Sequence, residues 1–246
     1  YDLSNHTYVL IDETNSLTIE DVVRPQYTFS FNKDDKKLNH GFSDASFWFK
    51  FKLRNEDLNR RWLLEVSYPV LDTIEIYYLN AHGIWKTISM GDMQPFYDRE
   101  IDYRNFLVPL DFPDHSVQMY YVRVHTTSAV RIPMTIISEW DSYKDNLEGE
   151  ILYGIYFGIM LVMILYNLFI FFTLNDVNYL YYVLSILFAL IFFASVSGHS
   201  FQYLWFDSIW WANHVIPISM GSWGIFAALF AYSFLEAKKY SPILGK

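Results

Sequence analysis

The chain has no cysteine. That absence removes disulfide frameworks, thiolate ligands and thiol nucleophiles together, and leaves the redox state of its compartment unconstrained. Its seven histidines include no H-E-x-x-H stretch and no pair one helical turn apart, so no metal site is expected. No glycine-rich phosphate loop is present, and Asn32-Lys33-Asp34-Asp35 lacks the rest of a calcium loop and reads as a turn. No cofactor is expected. Positive charge is scarce: 18 Lys and Arg stand against 27 Asp and Glu, a net charge of −9. All of that excess lies in residues 1–150, with 15 basic and 24 acidic side chains, while residues 151–246 hold three of each. An acidic domain repels phosphates, which excludes a nucleic-acid partner. The chain opens at Tyr1 with neither Met nor an apolar leader, as a removed signal peptide or a fragment boundary would leave it.

Charge nearly disappears between Ile151 and Leu235, where Asp176 and Asp207 are the two formally charged residues. They divide the run into three uncharged pieces. A helix rises about 1.5 Å per residue and a hydrocarbon core is roughly 30 Å thick, so about 20 apolar residues suffice to cross it. Spans are expected over about 150–174, 178–198 and 211–235. Tyr153, Tyr156, Tyr179, Tyr203, Trp205, Trp210 and Trp211 gather near the ends of the pieces, as amphipathic rings do at the headgroup level. Lys238 and Lys239 follow the third span, and positive flanks favour the cytoplasmic side. The expected topology is therefore a cytoplasmic C-terminus and a periplasmic N-terminal part.

Before the spans, apolar residues recur with period two. Phe47, Phe49, Phe51 and Leu53 alternate with Trp48, Lys50, Lys52 and Arg54; Trp62, Leu64, Val66 and Tyr68 alternate with more polar neighbours. The same signature predicts strands at Tyr8–Ile11, Leu17–Val22, Tyr27–Phe31, Ile74–Tyr78, Ile84–Met90, Phe106–Leu110, Val117–His125 and Arg131–Ile137. Asn80-Ala81-His82-Gly83 reads as a turn. Nine or ten short antiparallel strands without a convincing helix indicate an all-β sandwich of the jelly-roll kind. The domain is expected over 1–140, a juxtamembrane segment over 141–149 and the membrane region over 150–246. Trp140–Glu150 suits either an upward extension of the first membrane helix or a solvated linker.

Within the first span, Gly154 and Gly158 have the small-x-x-x-small spacing that lets helices approach closely, which would suit a homodimer in the lipid bilayer. Asn167, nearly four turns in, reads as a helix-to-helix hydrogen bond. His199 and His214 lie near span ends and read as interfacial.

Several stretches carry a family resemblance. Asn39-His40-Gly41-Phe42-Ser43-Asp44-Ala45-Ser46-Phe47-Trp48-Phe49-Lys50-Phe51-Lys52-Leu53-Arg54-Asn55, Gly91 with Pro95-Phe96 and Arg99, and Tyr120-Tyr121-Val122-Arg123-Val124 resemble the second type of extracellular domain of bacterial seven-transmembrane receptors with diverse intracellular signalling modules. Gly154-Ile155-Tyr156-Phe157-Gly158, Leu165-Tyr166-Asn167-Leu168-Phe169, Tyr179-Leu180-Tyr181-Tyr182 and Phe201-Gln202-Tyr203-Leu204-Trp205 resemble the opening of that family's seven-helix region. The resemblance implies a periplasmic jelly roll akin to carbohydrate-binding modules, set in the bacterial inner membrane and joined to a cytosolic output such as a diguanylate cyclase or histidine kinase. Three of seven spans are present and no output domain follows Lys246, so the chain reads as a fragment without an enzyme of its own. Lys50 stands where the resemblance leads to Arg; it keeps the charge and loses the planar fork.

The expected partner is a small molecule or glycan. Sugar sites set aromatic faces beside charged or amide side chains, and Trp48 shares a strand face with Lys50, Lys52 and Arg54, away from the core phenylalanines. A shared ligand site of Trp48, Lys50, Arg99, Tyr121 and Arg123 is expected, with Trp85 at its rim. The competing packing reading has Trp48 covered and Arg99 and Arg123 fixed by acids such as Glu65 or Asp72. A membrane-anchored carbohydrate-binding or adhesion protein and a tethered glycan hydrolase are the alternative functions; the second would draw its two carboxylates from Glu65, Asp72, Glu75, Asp92, Asp98, Glu100 and Asp102.

Overall fold

Alternation in sequence becomes alternation in burial. In the computed structural model, which describes residues 1–31, 38–57, 60–80, 82–110 and 117–235, Phe47, Phe49 and Phe51 point inward from β4 (Ser46–Arg54). The Asn32–Asp35 turn and the flanking Lys238 and Lys239 lie outside the described residues. Around β4 forms a six-stranded antiparallel sheet of β1 (Tyr8–Asp12), β2 (Ser30–Phe31), β6 (Thr73–Leu79), β7 (Trp85–Met90) and β9 (Val117–His125), in the order β2-β1-β4-β9-β6-β7. A three-stranded sheet, β11-β5-β8, faces it, built from β5 (Trp62–Val66), β8 (Phe106–Leu110) and β11 (Met134–Ser138). A small pair joins β3 (Asn39–Gly41) to β10 (Val130–Arg131). The chain crosses between sheets at most connections, as in a jelly roll, and Phe49, Phe51, Leu64, Val66, Ile74, Ile76, Phe106, Tyr120, Val122 and Met134 fill the layer between them. Pro109 is tolerated because β8 is an edge strand.

One predicted strand is a helix. Leu17–Val22 satisfies the alternation rule, yet Ile19–Val22 forms α1, because Thr18 and Asp21 make a capping box: the Asp21 carboxylate accepts from Thr18 N at 3.2 Å. Ile19 and Val22, three apart on one helical face, are the residues it buries. The Tyr27–Phe31 strand shortens to Ser30–Phe31.

Among the described residues, three helices are long and apolar enough to cross a membrane: α2 (Glu139–Leu174), α3 (Val177–Val196) and α5 (Ile209–Phe234). A five-residue α4 (His199–Tyr203) lies between the last two. The chain divides into two compact units, Tyr1–Tyr143 with Phe201–Ile209, and Lys144–Ser200 with the residues from Trp210 on. In the second unit α3 packs on α5 through Phe188 on Phe226 (5.5 Å, stacked) and Tyr182 on Phe230 (5.2 Å), and on α2 through Tyr156 and Phe193.

The segment Trp140–Glu150 is helical throughout as part of α2. Ser138 ends β11 and caps the helix in the same step: its Oγ accepts from Asp141 N at 3.1 Å and donates to the Asp141 carboxylate at 2.6 Å. Glu139 N donates to Arg61 O at 3.0 Å, satisfying another first-turn amide. With 36 residues, α2 exceeds a bilayer crossing by about 24 Å of helix.

Candidate functional site

Five of the six sequence-derived ligand residues come together on the outer face of the six-stranded sheet. Register sets Trp48 opposite Arg123 and Lys50 opposite Tyr121, and Tyr121 opposite Tyr77. Trp48 stacks on Tyr77 at 5.6 Å, Trp85 meets Tyr121 edge-on at 5.8 Å, and the Lys50 ammonium lies 5.4 Å from the Phe29 ring and 5.5 Å from that of Tyr121. Arg123 donates to Glu75 at 2.8 Å and sits 5.9 Å from the Trp48 ring.

This face is covered, which corrects the expectation of an exposed tryptophan. Trp48 is 0% and Tyr121 6% exposed, because Ile19 and Val22 of α1, with Leu10, Leu17 and Phe29, pack over them as a second core. The strand argument correctly turned Trp48 away from the phenylalanines; the lid that the capping box creates then closes over it. Trp48 Nε1 is buried there without an acceptor among the described residues. Burial pushes the Tyr121 phenol up, and burial with the nearby Glu75 pushes Tyr77 up to about 12, so both stay neutral.

An open groove adjoins this cluster at the end of the sandwich where β4 runs out and β5 begins. It encloses about 830 Å³ and is lined by Tyr1, Tyr8, Lys50, Lys52, Asn55 and Trp62, among others. Tyr1 and Trp62 present rings 6.2 Å apart, and Tyr8 packs on Phe31 at 5.1 Å. Asn55 Oδ1 accepts from Trp62 Nε1 at 3.2 Å and from Asp57 N at 3.0 Å, which fixes the loop wall. Arg54 and Arg60 are held by Glu56 and Asp57. Lys50 belongs to both the groove and the covered cluster. Sequence reading missed Tyr1, Tyr8 and Trp62, since Trp62 shares its alternation with core Leu64 and Val66; the signal was its place at the strand's first residue, where the sandwich opens.

Arg99 is built into a different cluster, which corrects its place in a shared site. Its guanidinium lies 4.5 Å from the Phe96 ring, 4.3 Å from Phe106 and 5.7 Å from Phe201, and Nη1 donates to Tyr103 O and Arg104 O, both at 2.9 Å. Burial lowers its pKa to about 10, against the pull of Asp92. Burial, with the neighbouring Asp72 charge, pushes the Asp92 carboxyl up to about 7, while Arg99 holds it back. For both groups desolvation outweighs their mutual attraction. Two further candidate acids are engaged structurally: Glu65 accepts from Asn105 at 2.7 Å, and Asp72 from Thr126 Oγ1, Thr127 N and Thr127 Oγ1.

In the helical unit, a Cβ added at Gly154 or Gly158 would meet nothing within 4 Å, so that face is uncovered among the described residues. Asn167 donates to Met163 O of its own helix at 2.8 Å rather than to a neighbouring helix. His199 is buried against Glu150 (2.9 Å).

Residues 4–138 match the family model described as 7TMR-DISM extracellular 2, and residues 149–245 match the one described as 7TM diverse intracellular signalling. No curated protein matches the chain.

Proposed function

We propose, from the premise that this chain belongs to the bacterial seven-transmembrane receptors with diverse intracellular signalling modules, that its sandwich takes a glycan in the groove beside Trp62 and passes the bound state to α2. At the coarser level the chain is a membrane sensory receptor module with an extracellular β-domain. The observation that carries the finer reading is one loop with two duties. Asn55 and Trp62 wall the groove, while Arg61, next to Trp62, accepts the first amide of α2 through its carbonyl at 3.0 Å. A ligand that draws this loop inward loads the helix cap directly. Differential affinity of ligand for the two loop positions is what shifts the equilibrium.

The ligand class follows from the lining. Tyr1 and Trp62 offer flat faces for the C–H side of a pyranose, and Lys50, Lys52 and Asn55 offer donors to its hydroxyls or to an attached acid group. The output is a cytosolic module, and the C-terminal side of α5 is cytoplasmic in this reading. Reporter fusions at Asn146 and Gly245 test the orientation; phosphatase activity at the second position overturns it.

The binding reading is tested with the full chain in lipid nanodiscs, titrated by calorimetry against neutral and uronic-acid oligosaccharides. Trp62→Ala and Lys52→Ala should each weaken binding of any hit about tenfold or more, equivalent to about 1.4 kcal/mol. Unaltered affinity in both variants, or no binding by any oligosaccharide, overturns it.

A further inference from the structure

Within the helical unit, the end of α3 is tied to α2 by a run of hydrogen bonds that passes through a histidine. α3 stops at Val196, and Gly198, at φ +84°, takes the left-handed conformation that closes many helices. A continued helix would give the Gly198 amide to Ala194 O, but that amide goes to Ser195 O at 3.0 Å. The Ser197 hydroxyl substitutes for it, donating to Ala194 O at 3.2 Å. The same Ser197 Oγ lies 2.8 Å from His199 Nδ1, and His199 Nε2 lies 2.9 Å from the Glu150 carboxylate on α2. His199 is buried, with the Tyr153 ring at 4.6 Å and the Phe157 ring edge-on at 5.5 Å.

Hydrogens can be counted along this run. A carbonyl oxygen carries none, so the Ser197 hydrogen is committed to Ala194 O, and Nδ1 must donate to Ser197 Oγ. The contact between Nε2 and Glu150 then needs a hydrogen of its own. A neutral imidazole has one N–H and an ionised carboxylate has no donor, so the arrangement holds one proton more than that pairing supplies. Without it, one contact must give way. A hydrogen bond to an ionised carboxylate is roughly twice as strong as a neutral one, so the remaining N–H stays on Glu150. Nδ1 becomes an acceptor and draws the Ser197 hydroxyl away from Ala194 O.

We infer that His199 is a proton-operated latch on the last turn of α3: protonated, it leaves the Ser197 hydroxyl on Ala194 O; deprotonated, it takes that hydroxyl for itself. The titratable groups facing it are Glu150 and Tyr153, both on α2. Ser195 Oγ donates to Ile191 O at 2.7 Å and accepts from Ser200 Oγ at 3.0 Å, so those two hydroxyls are engaged elsewhere. The charge change sits at one side chain and the two-state element is the helix end it biases, which makes the proton a second input to the helices. The inference uses no groove residue, and its test needs no glycan.

The sequence supplies a reporter. Ala-Ser occurs twice, at Ala45-Ser46 and Ala194-Ser195. The full chain in nanodiscs, isotope-labelled at alanine carbonyls and serine amides, therefore gives two carbonyl–amide correlations by NMR, one at the latch and one in the sandwich as a reference. In a titration from about pH 4 to about 9, which covers the range where histidines change charge, the Ala194 carbonyl signal should shift in a single step while that of Ala45 stays in place. The step should vanish in His199→Gln and in Ser197→Ala. An Ala194 signal that does not move overturns the inference, and so does a step that survives in either variant. Should the variants aggregate, the parent decides through its histidine ring nitrogens: a His199 titration sharing the midpoint of the Ala194 step supports the latch, and separate midpoints overturn it.

Discussion

Arg123 and Glu75 face each other across β9 and β6, Nη1 to carboxylate at 2.8 Å, each side chain about a fifth exposed. The second arm of the guanidinium reaches Ser46 Oγ at 3.3 Å and Asn15 O at 3.4 Å, so one side chain ties the lid's approach to the sheet.

Removing Arg123 therefore loses more than an ion pair. Arg123→Ala should cost about 1–3 kcal/mol, since Glu75 is left partly buried and unpaired. Glu75→Gln should cost less, and the double variant should reveal a coupling of about 1 kcal/mol. Urea midpoints of the four proteins measure it; additive effects would show the pair to be inert.

Trp48 should behave as a core residue. Trp48→Ala should destabilise the sandwich by about 3–5 kcal/mol, and Trp48→Phe by less. A Trp48→Ala protein that keeps the parent's denaturation midpoint would mean that the lid does not cover it.

The Asp92 carboxyl gives the sandwich a pH dependence of definite sign. Its folded pKa of about 7 exceeds the ordinary 3.8, so between those values the folded state holds a proton that the unfolded chain has released. Its contribution thus becomes less favourable as pH rises from about 4 to 7, by on the order of a few kcal/mol. Thermal unfolding from pH 4.5 to 8 should show this slope in the parent and a flatter one in Asp92→Asn. Equal slopes would place the titration elsewhere.

Two glycines separate two kinds of cost. A Cβ at Gly91 would lie 1.9 Å from the Asp72 carbonyl oxygen, main chain that cannot swing aside, whereas at Gly83, with φ +72°, a Cβ would meet only open space. Gly91→Ala should cost about 1–3 kcal/mol or more through displaced backbone. Gly83→Ala should cost about 1 kcal/mol through the left-handed conformation alone. Melting temperatures that rank them the other way would contradict the close approach.

What the sequence made legible was whatever repeats. Phe47, Phe49 and Phe51 announced a buried face by their spacing, and the uncharged runs announced helices of spanning length, because each signal is local and redundant. Leu17–Val22 misled, since three apolar residues in six fit a strand until Thr18 and Asp21 are seen to cap one another. The site suffered most. Strand phase turned Trp48 and Lys50 to one face, and strand register brings Tyr121 and Arg123 beside them, but phase does not reveal a lid. Arg99 was misplaced because its third ring, Phe201, lies about a hundred residues further along the chain.

The lid over Trp48 also sets an order of events. Ile19 and Val22 leave the ribosome early, yet the surface they cover is incomplete until Tyr121 on β9 pairs with Lys50, about a hundred residues later. Closure of so long a loop is slow compared with local helix or hairpin formation. During synthesis the chain therefore carries Leu17, Ile19, Val22 and Trp48 uncovered for most of the time the sandwich takes to emerge. The interval is one in which holding chaperones have a defined apolar stretch to bind.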